Sequence, residues 1–323
     1  MGMLTLLKQV VNKIEMNRNR AVGFGFFFLL SFFGSFSADA QVTTIKAWTN
    51  EYSGTSTGAE TSAYPVPAGS GTNRLLVVSI ATTTRTDGSR TVTLSYGGQA
   101  LTLASGDMGT TNRRHHTAIY YLDEAGLDAA SNTTLSVRVE NGTTVLTSAS
   151  AAVFDYVDQS SPLTDSRNYN TSTNATTFSF GTSLTIAAGD QALFVANSCR
   201  LGSTTTRTFD TFTNFTIVDQ QNASYNASGT TNDIGTRFGV FSFDTVPTSG
   251  TSSNCSVTLS GGSFPSMTAI SVNGCDAPTA DAGAALSAFC KGGTSAALGG
   301  SVGGSATGGT WSDGGVGGTF SPN

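Results

Sequence analysis

The sequence predicts an all-β protein: an antiparallel two-sheet sandwich followed by a shorter glycine-rich segment. Three observations predict it. Short runs of alternating apolar and polar residues recur between residues 42 and 275, the pattern of half-buried strands. Gly, Asn and Ser punctuate these runs at short intervals, and no long stretch has helical period. Of 323 residues, 38% are hydrophobic, 11% are charged and 38 are Gly, while Lys is confined to Lys8, Lys13, Lys46 and Lys291. That balance permits a core covered by small polar residues. It excludes charge-driven disorder and argues against helix bundles and cytosolic α/β enzymes.

The first 40 residues read as an export signal. Arg18 and Arg20 flank a short apolar run, Ala21 to Phe36, that contains seven Phe, and Ala38-Asp39-Ala40 supplies small residues for cleavage before Gln41. An uncleaved anchor is the rival, but the run is short for a membrane span and contains Gly and Ser. The stretch before Arg18 is long for a signal, so either Met1 or Met16 serves as the start. Cleavage takes four of 16 basic and two of 21 acidic residues, leaving 12 against 19, a net charge of −7. No membrane span is then expected. The basic footprint that nucleic-acid binding requires is missing, and the one compact pair, Arg113-Arg114, reads as a solvated loop.

Residues 41–275 form the main domain, long enough for one large core. The expected strands are 42–48, 74–83, 91–96, 100–104, 118–122, 134–139, 144–157, 192–197, 212–218, 238–243, 255–259 and 267–272, all rich in Val, Ile, Thr, Phe and Tyr. Gly97-Gly98 and Asn141-Gly142 read as two-residue hairpin turns. Both faces of Ala118–Leu122 are apolar, which predicts a central strand covered on both sides. Val137 and Val139 should face inward, with Arg138 and Glu140 outward. Phe209, Phe212 and Phe215 break alternation, which suggests a bend or bulge.

The segments NRLLVVSI (73–80), SYGGQALTL (95–103) and VDQSSPL (157–163) resemble those of jelly-roll or lectin-like sandwich domains of large secreted bacterial proteins. The resemblance implies a fold and an extracellular setting, not an activity.

Composition shifts at Cys275. Thirteen of the 38 Gly lie in residues 276–323, after the linker-like DAPTADAG. ADAG (280–283), Cys290 and the run from Gly299 to Asn323, with Trp311 and Phe320, resemble the Ig-like, PKD-like repeats of Bacteroidetes-type secreted adhesins. ALSAF stands where that family carries a Pro-Asp-Gln run. The resemblance implies a truncated Ig-like repeat, the start of a longer tandem array.

Cys199, Cys255, Cys275 and Cys290 allow three pairings. A bridge between Cys199 and Cys255, each on a strand-like run, is the expectation, with buried thiols the alternative. Cys290 is expected to find its partner in sequence beyond this chain.

Chemistry is sparse. His115 and His116 are adjacent, so on a strand they point to opposite faces and cannot share a metal; an exposed pair is the expectation. Glu140 and Asp155 are the strand-borne carboxylates a glycosidase would need, and Asp155 reads more readily as a hydrogen-bonded structural acid. Asp87, Asp107, Asp123 and Glu124 are loop acids that would suit calcium, without a ligand pattern to commit any of them. No catalytic, cofactor or metal residue is therefore assigned. The expected function is a secreted or cell-surface, non-catalytic adhesin-type structural or binding protein, with surface glycans or other cell-surface macromolecules as partners. A lectin-like carbohydrate-binding module is the alternative, with Tyr52, Tyr64, Tyr169 and Tyr225 as loop aromatics; a glycan-cleaving enzyme comes third.

Overall fold

A computed structural model describes residues 41–55, 59–68, 73–84, 86–111, 113–140, 145–201, 203–225, 234–275, 279–281 and 301–303. The expected export signal over 1–40, the expected Asn141-Gly142 turn, Cys290, Trp311, Phe320 and most of the expected glycine-rich repeat lie outside the described residues.

The first half of the main domain contains β1 (Thr43–Gly54), β2 (Ala59–Ala63), β3 (Leu75–Thr84), β4 (Thr91–Tyr96), β5 (Gln99–Ala100), β6 (Thr102–Gly106), β7 (His115–Leu122), β8 (Thr134–Glu140) and β9 (Val145–Asp155). They form one sheet ordered β1-β9-β3-β7-β6 and a second ordered β2-β8-β4-β5. Taking β5 and β6 as one strand bent at Leu101, the sheets run first–eighth–third–sixth and second–seventh–fourth–fifth, which is the jelly-roll order. A short helix, α1 (Glu124–Ala129), follows β7; the Asp123 carboxylate accepts from Gly126 N–H and caps it. Gly97 (φ 53°) and Gly98 (φ 88°) make the expected two-residue turn between Tyr96 and Gln99.

The second half repeats the plan. It contains β10 (Leu163–Asn170), β11 (Ala175–Phe178), β12 (Leu184–Ile186), β13 (Gln191–Leu201), β14 (Phe209–Phe212), β15 (Phe215–Tyr225), β16 (Ile234–Phe243), β17 (Thr251–Ser253) and β18 (Val257–Val272). The sheet β10-β18-β13-β16-β15 matches β1-β9-β3-β7-β6 strand for strand. The front part of β18 turns out of that sheet to pair with β11 and β14, as β8 pairs with β2 and β4. The register agrees too. Ile80 pairs with Ala118 and Ala149; Ala196 pairs with Gly239 and Met267. The two-sheet sandwich that the sequence predicts therefore occurs twice, over residues 42–157 and 158–275. After Cys275 the described residues add one antiparallel pair, β19 (Thr279–Asp281) with β20 (Ser301–Gly303).

The two jelly rolls stack back to back. One core lies between the sheets of the first, around Leu76, Val78, Ile80, Leu94, Leu135 and Val137. Another fills the second, around Phe194, Phe209, Phe215, Phe241 and Val257. A third joins them, with Leu75, Val77, Ile119 and Phe154 facing Leu193, Val195, Phe238 and Ile270. The contacts are reciprocal: β1 lies against β15 as β10 lies against β6, and β9 against β15 as β18 against β6. This is how an isologous dimer packs, here within one chain. The middle layers are thus covered on both faces, and β3 is buried at every position. As expected, Ala118, Tyr120 and Leu122 face one core and Ile119 and Tyr121 the other.

Edges and centres of the two middle sheets differ. The pairs β3–β7, β3–β9, β13–β16 and β13–β18 run without a register shift, whereas the edge strands β1, β6, β10 and β15 each carry at least one against their neighbour. Such bulges twist an edge away from further strand addition. The Phe209, Phe212 and Phe215 spacing marks both a register shift and a turn: β14 slips against β18 between Phe209 and Thr211, and Asn214 has φ 63° where the chain changes sheet between β14 and β15.

A buried polar clasp and a neutral cleft as candidate functional sites

The middle layers are apolar at one end and polar at the other. In sequence, LLVVSIATTT (75–84) runs from apolar to hydroxyl-bearing, while HHTAIYYL (115–122) runs the opposite way. Because the two strands are antiparallel, the Thr and His ends coincide. The second module adds Asn197, Ser198, Thr236, Ser266 and Thr268 at the same end. Asn197 donates to Thr82 O (3.2 Å) and Thr83 Oγ1 (3.0 Å) and accepts from Thr236 Oγ1 (2.5 Å). Thr117 Oγ1 lies 2.8 Å from both Ser266 Oγ and Thr268 Oγ1.

Asp107 is the hub of this polar end. Its Oδ1 accepts from Thr117 N–H (2.8 Å), and its Oδ2 accepts from Ser266 Oγ (3.2 Å) and Asn170 Nδ2. Burial pushes its carboxyl up, against the opposing pull of His116 and these donors. His116 Nδ1 lies 3.0 Å from Asp107 O and Nε2 lies 3.1 Å from Gly88 O. Its Nδ1 also lies 3.8 Å from Asp107 Oδ1. A nucleophilic triad is not assembled here: the serine bonds the aspartate, and both ring nitrogens face main-chain oxygens. The cluster holds two modules together.

A cleft of about 210 Å³ opens at the opposite end, beside α1, lined by Arg74, Tyr96, Leu127, Ser131 and Asn132 among others. Its cation is neutralised. Arg74 Nε donates to Glu124 (2.9 Å), and its Nη2 reaches Glu124 and Asp128. Burial raises the Tyr96 phenol, keeping it protonated at neutral pH. The cleft therefore offers hydroxyl, amide and aliphatic groups without net charge.

The other singled-out residues separate. His115 and His116 do point to opposite faces, but both are buried rather than exposed: β7 enters the interior at once, and His115 donates to Thr171 O (3.0 Å). Cys199 and Cys255 are free thiols, which corrects the expected disulfide. Cys199 packs with Leu146 and Ile234 on the inner face of the β13 sheet, whereas Cys255 lies in the core on its outer face, so the sheet stands between them. Burial pushes both thiols up to about 12. Glu140 pairs with Arg138 at the start of the β8–β9 connection, and Asp155 ends β9. Ten residues of strand separate Val145 from Asp155, about 33 Å, too far for two carboxylates to flank one glycosidic bond. Asp155 is fully buried and accepts from Tyr156 N–H, a structural acid.

The four loop acids are each engaged: Asp87 with Arg114, Asp107 in the clasp, Asp123 as helix cap and Glu124 with Arg74. Among the described residues no three His, Cys, Asp or Glu converge as metal ligands. Tyr64 is buried beneath Lys46 Nζ, 3.1 Å from its ring centroid, Tyr169 stacks on Phe178, and Tyr52 packs against the first core, so these are not loop platforms. The Tyr225 side chain lies outside the described residues. No helix of the described residues is long and apolar enough to cross a membrane. Sequence reasoning missed the duplication, although AIYYLD (118–123) and GVFSFD (239–244) carry its signal: a small residue, an aliphatic and an aromatic, then, after one unmatched position, a large apolar residue and Asp. No protein-family model matches the sequence, and no curated protein is similar to it.

Proposed function

We propose that residues 41–275 are the non-catalytic head of an exported, adhesin-type structural or binding protein, with the glycine-rich segment as stalk. One observation carries this reading. The chain enters the head beside Gly189, where Val42 N–H bonds Gly189 O, and leaves it beside Tyr156, where Cys275 N–H bonds Tyr156 O. Both points lie at the end of the middle sheets where β3 and β13 begin, so the opposite end lies away from both connections. The four-layer stack, the bulged edges and the signal-like 1–40 segment all suit a rigid, exported module. Expression in a secreting host followed by N-terminal sequencing tests export: a mature terminus at Gln41 supports it, and retention of the first 40 residues contradicts it.

The lectin-like alternative is favoured by the neutral cleft beside α1, whose Ser131 and Asn132 groups suit sugar hydroxyls. Glycan-array binding that is lost in Ser131→Trp, which fills the cleft, would favour this reading over a purely structural head.

A further inference from the structure

We propose that the end of the head away from both connections is a recognition surface for acidic polysaccharide, with Arg200, Arg207 and Arg237 as its anion contacts. The proposal rests on the head reading and adds the contact face and the class of ligand. The two ends of the stack differ in charge. Asp123, Asp128, Asp158, Asp165, Asp190 and Asp244 lie at or beside the strand ends where the chain enters and leaves. Arg90, Arg113, Arg114, Arg200, Arg207 and Arg237 gather toward the other.

Three of these arginines share one face. Arg200 of β13 pairs with Gly235 of β16, and Arg237, two residues along, pairs with Ser198. Directly opposite residues point to the same side of a sheet, so Arg200 and Arg237 are diagonal neighbours, about 7 Å apart at their stems. The loop that carries Arg207 crosses this face: a Cβ on Gly235 would stand 2.7 Å from Thr205 O. Arg207 then lies flat over the Gly261-Gly262 step of β18, where a Cβ at Gly261 would meet its Cζ at 2.7 Å, and its Nε donates to Gly262 O (3.3 Å). The three guanidiniums thus span β18, β13 and β16.

None of the three has a carboxylate partner among the described residues. Arg237 is held by neutral amides instead, through Nη1 to Asn222 Oδ1 (3.1 Å) and Nη2 to Gln220 Oε1. The nearest acid in sequence, Asp210, is occupied by Thr208 Oγ1 (2.5 Å). Neighbouring Ser203, Thr204, Thr205 and Thr206 add hydroxyls. Guanidiniums set among hydroxyls and amides match a chain that alternates anionic groups with sugar hydroxyls. Duplex nucleic acid and anionic lipid fit less well, because each engages a broader basic footprint than three arginines spread over three strands.

Calorimetric titration of residues 41–323 with a chondroitin sulfate octasaccharide, an oligogalacturonate and a neutral cello-oligosaccharide tests this. Binding to either acidic probe, weakened by salt, supports the proposal, and the stronger of the two identifies sulfate or carboxylate as the group. The variant R200Q/R207Q/R237Q, checked for an unchanged thermal midpoint, is predicted to bind about tenfold or more weakly, while Arg138→Gln, on a different sheet, binds as the parent. No binding to the acidic probes, equal binding by the triple variant, or tighter binding to a DNA duplex or phosphatidylserine vesicles would overturn it. Binding to the neutral probe alone overturns the anion surface and leaves the head reading standing, whereas hydrolysis of any probe would overturn the head reading itself.

Discussion

Asp107 and Gln221 occupy the same position in the two jelly rolls, and each reaches across to a serine on the other module's last strand. Gly106 pairs with Ala118 as Gln220 pairs with Gly239, so the residues that follow, Asp107 and Gln221, correspond. Asp107 accepts from Ser266 of β18, and Gln221 Nε2 donates to Ser150 of β9 at 2.9 Å. The clasp is reciprocal in position and unequal in chemistry: the shared position holds a carboxyl on one side and an amide on the other, where Asp219 bonds both Ser150 and Gln221.

That inequality predicts a pH signature. Burial raises the Asp107 carboxyl above its ordinary value of 3.8, so the folded state holds this proton more readily than the unfolded chain. The group's contribution is full below the ordinary value and shrinks as pH rises through the raised one. Asp107→Asn cannot titrate there. Its stability deficit against the parent, read from urea midpoints, is predicted to narrow as pH rises from about 4 to about 7. Parallel profiles would contradict this.

His115 acts in the opposite sense. Burial lowers its pKa from 6.5 to about 4, so as pH falls between those values the unfolded chain takes up a proton that the folded state refuses. The parent should lose stability over that interval, approaching roughly 3 kcal/mol from this residue. His115→Gln keeps an N–H for Thr171 O without the titration, and its acid limb should be flatter by that amount. An unchanged acid limb would show that His115 does not stay neutral.

The second core depends on its aromatic stack. Phe241 is fully buried, lies 4.3 Å from Phe194 between ring centroids, and meets Phe209 and Phe212 edge-on at 5.2 Å each. Phe241→Ala is predicted to cost about 3–5 kcal/mol in chemical denaturation. A loss under about 1 kcal/mol would mean that the four rings do not pack as described.

Cys199 and Cys255, on opposite sides of one sheet, should both alkylate when the protein is unfolded without reductant, and neither should react while it is folded. Peptide mapping that finds them joined would contradict their placement.

The fold class was legible because alternation and turn residues are local. Thr91–Tyr96 matches β4, and the Gly97-Gly98 turn falls where two positive-φ residues require it. Asp155 was legible as a structural acid because a carboxyl in an apolar strand is more often hydrogen-bonded than reactive. The repeat was harder to see. Its copies share topology and facing pattern but few identities, and β18 fuses two expected strands, 255–259 and 267–272, into one that serves two sheets. β10 escaped notice because LTDSRNYN (163–170) is polar: it is an edge strand, held by backbone pairing to β18 rather than by an apolar stripe. The burial of His115 and His116 and the separation of Cys199 from Cys255 depend on which layer covers each sheet face. That is information carried by the stacking of the modules, not by neighbours in the chain.

Native-state hydrogen exchange tests the back-to-back joining of the two modules most directly. Amides of β3, β7, β13 and β16 are predicted to exchange only through global unfolding, with one common free energy, because each strand is buried between its own core and the shared one. If the amides of β13 and β16 exchanged at a clearly lower free energy than those of β3 and β7, the modules would be opening independently, and the shared seam could not be what holds the head together.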